Sequence, residues 1–306
     1  MSNHNKILRI SIIVIVLTAI ISIISISKLR IDKQVFLKNY YEIAINEYEG
    51  TYSLDEGSLI LQYISNVDDN KYVTGITFKE LSDTYFFATE YNQSYGMMFY
   101  EEKNLNVNEF GRYGLHTVYV TCPELKYDDN QKEIVLTNAT IEFNDGSNMD
   151  IDLGKIVLYK GSNRPVALEG ISYTGSSDGT SSTTFRIKED VKIENIESSL
   201  FGDVSEIFDF NITYIEFNGV DEIKYEKGQT IKENSIVTIK SKYNGSNDIL
   251  KSYTLYNISP KIHFINEYND EYIYRYNNME SFNVRNYDSF YNSYGIYKYL
   301  KARGEL

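Results

Sequence analysis

The sequence predicts a mostly β protein, with an N-terminal transmembrane helix and helical stalk followed by one or two antiparallel β-sandwich-like domains. Three observations lead there. Residues 10–27 carry no charged side chain. From about Ser58 onward, short stretches alternate apolar and polar residues between turn-forming residues. No helical patterns alternate with those stretches, which argues against a parallel α/β sheet.

The first element is the apolar run Ile10–Ser27, flanked by Lys6 and Arg9 before and Lys28 and Arg30 after. Eighteen residues of helix reach about 27 Å, just enough to cross a hydrocarbon core. A cleaved signal peptide is the rival, because Ser25-Ile26-Ser27 has peptidase-like spacing. The run is longer than the usual apolar region of about 7–15 residues, and no helix breaker precedes the site. A retained anchor over residues 1–30 is therefore expected, in a cell membrane, single-pass. No cysteine follows the run, which argues against lipoprotein attachment. Orientation is a balance. The C-terminal flank (Lys28, Arg30, Lys33, Lys38) is the more basic, which by itself favours a cytoplasmic body. Against that, the N-terminal tail is tiny and long domains translocate largely regardless of charge. The expectation is an extracytoplasmic body.

Residues 31–50 read as a helical stalk, with Val35, Phe36, Tyr40, Ile43 and Ala44 on one stripe and Gly50 as its stop. A first β-rich domain follows over 51–165. Within it Glu133–Phe143 alternates, with Val135, Thr137, Ala139, Ile141 and Phe143 on one face, and the turn Asn144-Asp145-Gly146-Ser147 signals a hairpin. The return strand has Met149, Ile151 and Leu153 inward, and its phase slips after Gly154, as at a β-bulge. The polar stretch Gly161–Pro165 is the best boundary. A second β-rich domain covers 166–264, with a hairpin at Ser176–Ser182 and a clean alternation over Ser235–Tyr243. A Tyr-rich C-terminal segment covers 265–306. Tyr287, Tyr291 and Tyr294 would share a face there if the stretch were helical, although Gly295 weakens that reading.

Charge narrows the function classes. The formal charge is −13, and setting aside residues 1–30 leaves 26 basic against 43 acidic residues, or −17. Such a body lacks the basic footprint that nucleic acid requires, and anionic lipid surfaces repel it. The single cysteine, Cys122, excludes an intrachain disulfide.

The chemistry-bearing residues are few. His4, His116 and His263 are the only histidines. Gly170-Ile171-Ser172-Tyr173-Thr174 lacks the second glycine of a nucleophile elbow. His116 and Cys122 on one strand would lie roughly 20 Å apart, too far for proton transfer, so Cys122 reads as core. Asp150 and Asp152 alternate onto one strand face, with carboxylates roughly 6.5–7 Å apart, the spacing of an inverting glycosidase but also of a solvated face. Asp68-Asp69-Asn70, Asp128-Asp129-Asn130 and Asn144-Asp145 offer hard oxygen ligands but fit no EF-hand, so they read as turns. Tyr272, Tyr274 and Tyr276 share one face of an extended segment. They are candidate binding residues, because tyrosine offers large contact area at low entropy cost, or else an aromatic core ladder.

The expected function is a non-enzymatic binding or interaction module of a cell envelope. Its partners would be the membrane through residues 10–27 and an envelope protein or polysaccharide; neither cofactor nor metal is expected. The alternatives are an accessory subunit of a membrane transporter or export complex, and an envelope hydrolase using the paired aspartates.

Overall fold

The computed structural model describes residues 3–90, 107–127, 133–161, 165–281 and 291–306. The chain is mostly β, as expected. Helix α1 (Asn3–Lys28) comes first, and side chains 6–22 are all exposed. Over the described residues no helix is long and apolar enough to cross a membrane.

The expected stalk is not helical. Residues 31–50 instead form β1 (Val35–Phe36) and β2 (Asn39–Tyr48). The reason is burial on both faces. Tyr41, Ile43 and Ile45 point into one core, while Tyr40 packs on another. A strand covered on both sides loses its alternation, and its apolar positions imitate helical spacing. Gly50 does not stop a helix. With Glu49 it makes a tight turn into β3 (Thr51–Asn66), and both residues have positive φ, 51° and 80°. That geometry matches the right-handed twist of a hairpin.

The remaining strands of this part are β4 (Val73–Phe78), β5 (Phe86–Thr89), β6 (Val107–Phe110), β7 (Tyr113–Leu125), β8 (Glu133–Phe143) and β9 (Asn148–Lys160). Seven strands close on themselves in the order β3-β7-β5-β4-β8-β9-β2, with β2 returning to β3. The first β-rich region is therefore a barrel and not a sandwich. Closure depends on a parallel pairing, Asn39–Ile45 of β2 beside Gly154–Lys160 of β9. Alternation within a segment cannot reveal so distant a pairing. The interior is filled by Leu59, Leu61, Val118, Val120, Ile141, Ile156 and their neighbours.

The irregularity expected at Gly154 is present. Two steps along β8, Leu136 to Asn138, face four along β9, Asp152 to Ile156. Gly154 has φ +94°, and a Cβ there would lie 2.5 Å from the Asn39 carbonyl oxygen. The same irregularity corrects the inward set of β8. Ile134 and Leu136 are buried in place of Val135 and Thr137, while Ala139, Ile141 and Phe143 point inward as expected.

The later strands are β10 (Leu168–Gly175), β11 (Thr180–Ile187), β12 (Val191–Glu197), β13 (Phe208–Ile215), β14 (Ile223–Lys224), β15 (Thr230–Ile231), β16 (Ile236–Tyr243), β17 (Leu255–Ile258), β18 (Lys261–Asn266), β19 (Glu271–Arg275) and β20 (Met279–Glu280). A five-stranded sheet, β10-β11-β16-β13-β14, and a four-stranded sheet, β15-β12-β18-β19, share one apolar core. This part is sandwich-like, with Phe185, Val237 and Ile239 facing Ile193, Ile262 and Phe264. β17 and β20 instead extend the barrel sheet from β2, so the first sheet takes strands from beyond residue 165. Short helices α2 (Phe201–Val204) and α3 (Ile249–Ser252) connect strands. Helix α4 (Ser293–Arg303) is capped by the Asn292 side chain and ends at Gly304 in the left-handed region. It covers Ile31, Leu37 and Ile64 with Ile296, Tyr299 and Leu300. Tyr291 is buried before α4 and Tyr294 is exposed on it, so the two do not share a face; Tyr287 lies outside the described residues.

Candidate functional site

The inward faces of three barrel strands carry polar residues at one end of an otherwise apolar interior. Along β3 the inward series is Leu59, Leu61, Tyr63, Ser65; along β7 it is Cys122, Val120, Val118, His116. Glu90 follows the inward Phe86 and Ala88 of β5. Ser65 Oγ lies 2.9 Å from His116 Nε2, and His116 Nδ1 lies 2.8 Å from Glu90 Oε2. Glu90 Oε1 accepts from the Tyr63 hydroxyl at 2.8 Å and from the Val73 backbone N–H at 2.6 Å. The Tyr63 ring stacks on the imidazole with centroids 4.3 Å apart. Burial, then the adjacent Glu90 charge, pushes the Tyr63 phenol far above its ordinary range.

Hydroxyl, imidazole and carboxylate in this order form the chain used to activate a serine nucleophile. Burial decides against that use here. Ser65, His116 and Glu90 are 1%, 4% and 0% exposed. The Ser65 hydroxyl also has a second acceptor, the Asn66 carbonyl oxygen at 3.0 Å. In this arrangement the cluster joins β3, β4, β7 and the residue that follows β5 inside the barrel. Pairing His116 with Cys122 missed it. His116 lies opposite Tyr63 and Cys122 opposite Leu54, far along the same strand pair. Cys122 is fully buried, and burial raises its thiol pKa. The available sequence signal was a polar residue at the inward phase of an apolar strand.

The chain leaving α1 is fastened beside this cluster. The Leu29 carbonyl oxygen accepts from Tyr113 Oη at 2.8 Å. The Asn66 side chain bonds both backbone groups of Ile31, at 3.1 and 2.8 Å. Arg30 pairs with Asp68 at 2.6 Å, and Gln34 donates to Asp69 at 2.6 Å. Asp68 and Asp69 therefore serve this junction. Asp145 bonds Ser147 and pairs with Lys71 at 2.9 Å, while residues 128–130 lie outside the described residues.

A second polar cluster lies where barrel and sandwich meet. Glu42 of β2 is 2% exposed and accepts from Ser198 Oγ at 2.9 Å and the Ser259 N–H at 2.8 Å. Burial raises its pKa, against the lowering effect of those hydrogen bonds and of Arg275. The Arg275 guanidinium sits 3.5 Å from the Tyr159 ring centroid and donates to Glu133 at 2.8 Å and to the Ser259 carbonyl oxygen at 3.1 Å.

The paired aspartates are not poised for acid–base work. Asp150 bonds Thr140 and Lys79, which lower its pKa. Partial burial would raise the Asp152 pKa, but Lys38 and the Gly154 N–H outweigh it and the net direction is down. Two ionised surface carboxylates supply no general acid.

Tyr272, Tyr274 and Tyr276 keep a common face, but that face is turned to the sandwich core. Tyr276 is 0% exposed and donates to the Ser181 carbonyl oxygen at 3.1 Å; Tyr274 meets Phe185 edge-on. Tyr272 and Tyr274 are half-buried. The aromatic-ladder alternative describes their placement.

No family model and no curated protein matches the chain. Among solved structures, the D00-D0 domain of intimin aligns over 79% of this chain and 96% of its own, at 8% identity and a TM-score of 0.20. The Pseudomonas aeruginosa CupB2 chaperone aligns over 72% and 91%, at 9% identity and 0.15. The class 5 fimbriae chaperone CfaA aligns over 79% and 98%, at 10% identity and 0.16. Scores this low do not establish a shared fold, so the functional reading rests on the chain's own geometry.

Proposed function

We propose that the protein is a single-pass, membrane-anchored, extracytoplasmic binding module without enzymatic activity. The observation that carries this reading is α1. Between Arg9 and Lys28 its exposed side chains are uncharged and mostly apolar all round, including Ile10, Ile13, Leu17 and Ile21, and none of them belongs to the protein's cores. A helix that is hydrophobic all round belongs in a core or a membrane. Burying each such side chain is worth roughly 1.5–3 kcal/mol, so leaving the whole set in water is strongly unfavourable. The proposed span, Ile10–Ser27, includes residues 23–26, whose side chains lie outside the described residues.

Two features support binding over catalysis. The serine–histidine–glutamate chain is sealed inside the barrel, and the paired aspartates are neutralised by lysines. The partner would be an envelope protein or polysaccharide. Its contact surface is better sought on exposed aromatics such as Tyr85, Phe87 and Tyr173 than on the tyrosines of β19, which face the core.

Protease treatment of intact cells expressing the full chain, together with alkaline carbonate extraction, tests this. The expected result is a body digested from outside and a chain that stays with the membrane pellet. A chain released by carbonate overturns the anchor, and a body digested only after lysis overturns the orientation.

A further inference from the structure

On the outer face of the barrel, Tyr85 just before β5 and Phe87 within it are 70% and 49% exposed. Their rings meet edge-on, with centroids 4.6 Å apart. Phe87 pairs across to Gly75 on β4, and Gly75 pairs across to Glu142 on β8. We propose that this row receives an arginine side chain of a partner protein; the inference rests on the chain being a binding module.

Shape is the first argument. Phe87, Gly75 and Glu142 share the outward phase, because Phe86, Ile76 and Ile141 beside them fill the interior. Gly75 has no side chain, and that of Glu142 lies over it. A Cβ at Gly75 would come within 2.9 Å of Glu142 Oε2. The carboxylate therefore rests one strand spacing, about 4.8 Å, from β5 and its aromatic pair.

Charge is the second. Asp145, Asp150 and Asp152 nearby are each paired with a lysine. The exposed Glu142 carboxylate has neither an ion pair nor a hydrogen bond among the described residues. An uncompensated carboxylate beside aromatic faces is complementary to a cation, and the acidic body raises the local concentration of cationic partners.

The choice of arginine is the third. A guanidinium can stack on a ring while its edge keeps a fork of donors for a carboxylate; an ammonium cannot. The protein already uses this constellation within itself. Arg275 sits 3.5 Å from the Tyr159 ring centroid and donates to Glu133 at 2.8 Å. On the outer face the same two elements, ring and carboxylate, stand without a cation among the described residues.

The test titrates the full chain, in phosphatidylcholine nanodiscs, with a fluorescein-labelled hexa-arginine peptide followed by anisotropy. Salt is held at about 0.15 M, where distant surface charges are screened. Phe87→Leu and Glu142→Gln alter exposed side chains and leave the core intact. Each should weaken binding about threefold or more, and hexalysine should bind the wild type more weakly by a similar factor. Asp178→Asn, which removes the same charge from the exposed turn of the sandwich hairpin, should change nothing. No binding to the wild type, unchanged affinity in Phe87→Leu or Glu142→Gln, an equal loss in Asp178→Asn, or equal affinity for the two peptides would each overturn the site. Chitohexaose should not displace the peptide. Displacement that Phe87→Leu abolishes would give the face to a polysaccharide and overturn the arginine assignment. All these outcomes leave the anchor and its orientation standing, since carbonate extraction and protease accessibility test those separately.

Discussion

Glu90 Oε2 lies 2.8 Å from His116 Nδ1, and both side chains are enclosed by the barrel. The carboxylate is the centre of its cluster, since its two oxygens serve His116, Tyr63 and the Val73 N–H. Glu90→Ala would strand all three donors in the interior. Removing one member of such a buried network costs about 3–5 kcal/mol. Urea unfolding of the variant should show that loss, and Ser65→Ala, which removes only the peripheral hydroxyl, should lose clearly less. Equal losses would refute the central role of Glu90.

Gly154→Ala is expected to be disproportionately damaging for one methyl group. The added carbon would meet the Asn39 carbonyl oxygen at 2.5 Å, in a backbone conformation that alanine avoids. A left-handed conformation alone costs about 1–2 kcal/mol, and the clash adds to it. Because Gly154 pairs with Asn39 at the start of the parallel β2–β9 ladder, amide exchange should rise first along 39–45. A variant as stable as wild type would contradict the close approach.

Glu42 makes stability depend on pH in a direction unusual for a carboxylate. Burial raises its pKa in the folded chain above the ordinary 4.5. The folded state then holds the proton more tightly than the unfolded state. Its contribution is present below 4.5 and is lost as pH rises through the raised value. The unfolding free energy of wild type minus that of Glu42→Gln should therefore fall with rising pH across this window. A difference that grows with pH would contradict it. Asp150 and Asp152, whose pKa values are lowered, act in the opposite sense and are common to both proteins.

Arg275 should not be replaceable by lysine. Its guanidinium lies over the Tyr159 ring while donating to Glu133 and the Ser259 carbonyl oxygen. An ammonium cannot do this from one position. Arg275→Met should lose about 2–4 kcal/mol, because Glu42 and Glu133 are left undercompensated, and Arg275→Lys should lose nearly as much, because its ammonium keeps the charge but not the ring contact together with both hydrogen bonds. Thermal unfolding of both variants checks this, and full rescue by lysine would argue for a purely charge-based role.

What the sequence disclosed was local. The hairpin at Asn144–Ser147, the slip at Gly154 and the inward Val237 and Ile239 were all legible, because turn chemistry and period-two burial act within a few residues. What it hid was long-range. β2 was misread because Tyr40 and Tyr41 contact different cores. The barrel was hidden because its closure pairs Asn39 with Gly154. Ser65 and His116 on neighbouring strands and Glu90 just past the end of β5 converge, and only their odd polarity at apolar positions marked them.

The Asn66–Ile31 bonds also bear on mechanics. Between Lys28 and β1 the chain has no slack, because Leu29, Arg30, Ile31 and Gln34 are each held by the barrel. A pull on the body would load these few hydrogen bonds together before any strand of the barrel is stretched. With these bonds in place the junction would act as a stiff post and not as a leash, passing rotation or tilt of the helix to the body.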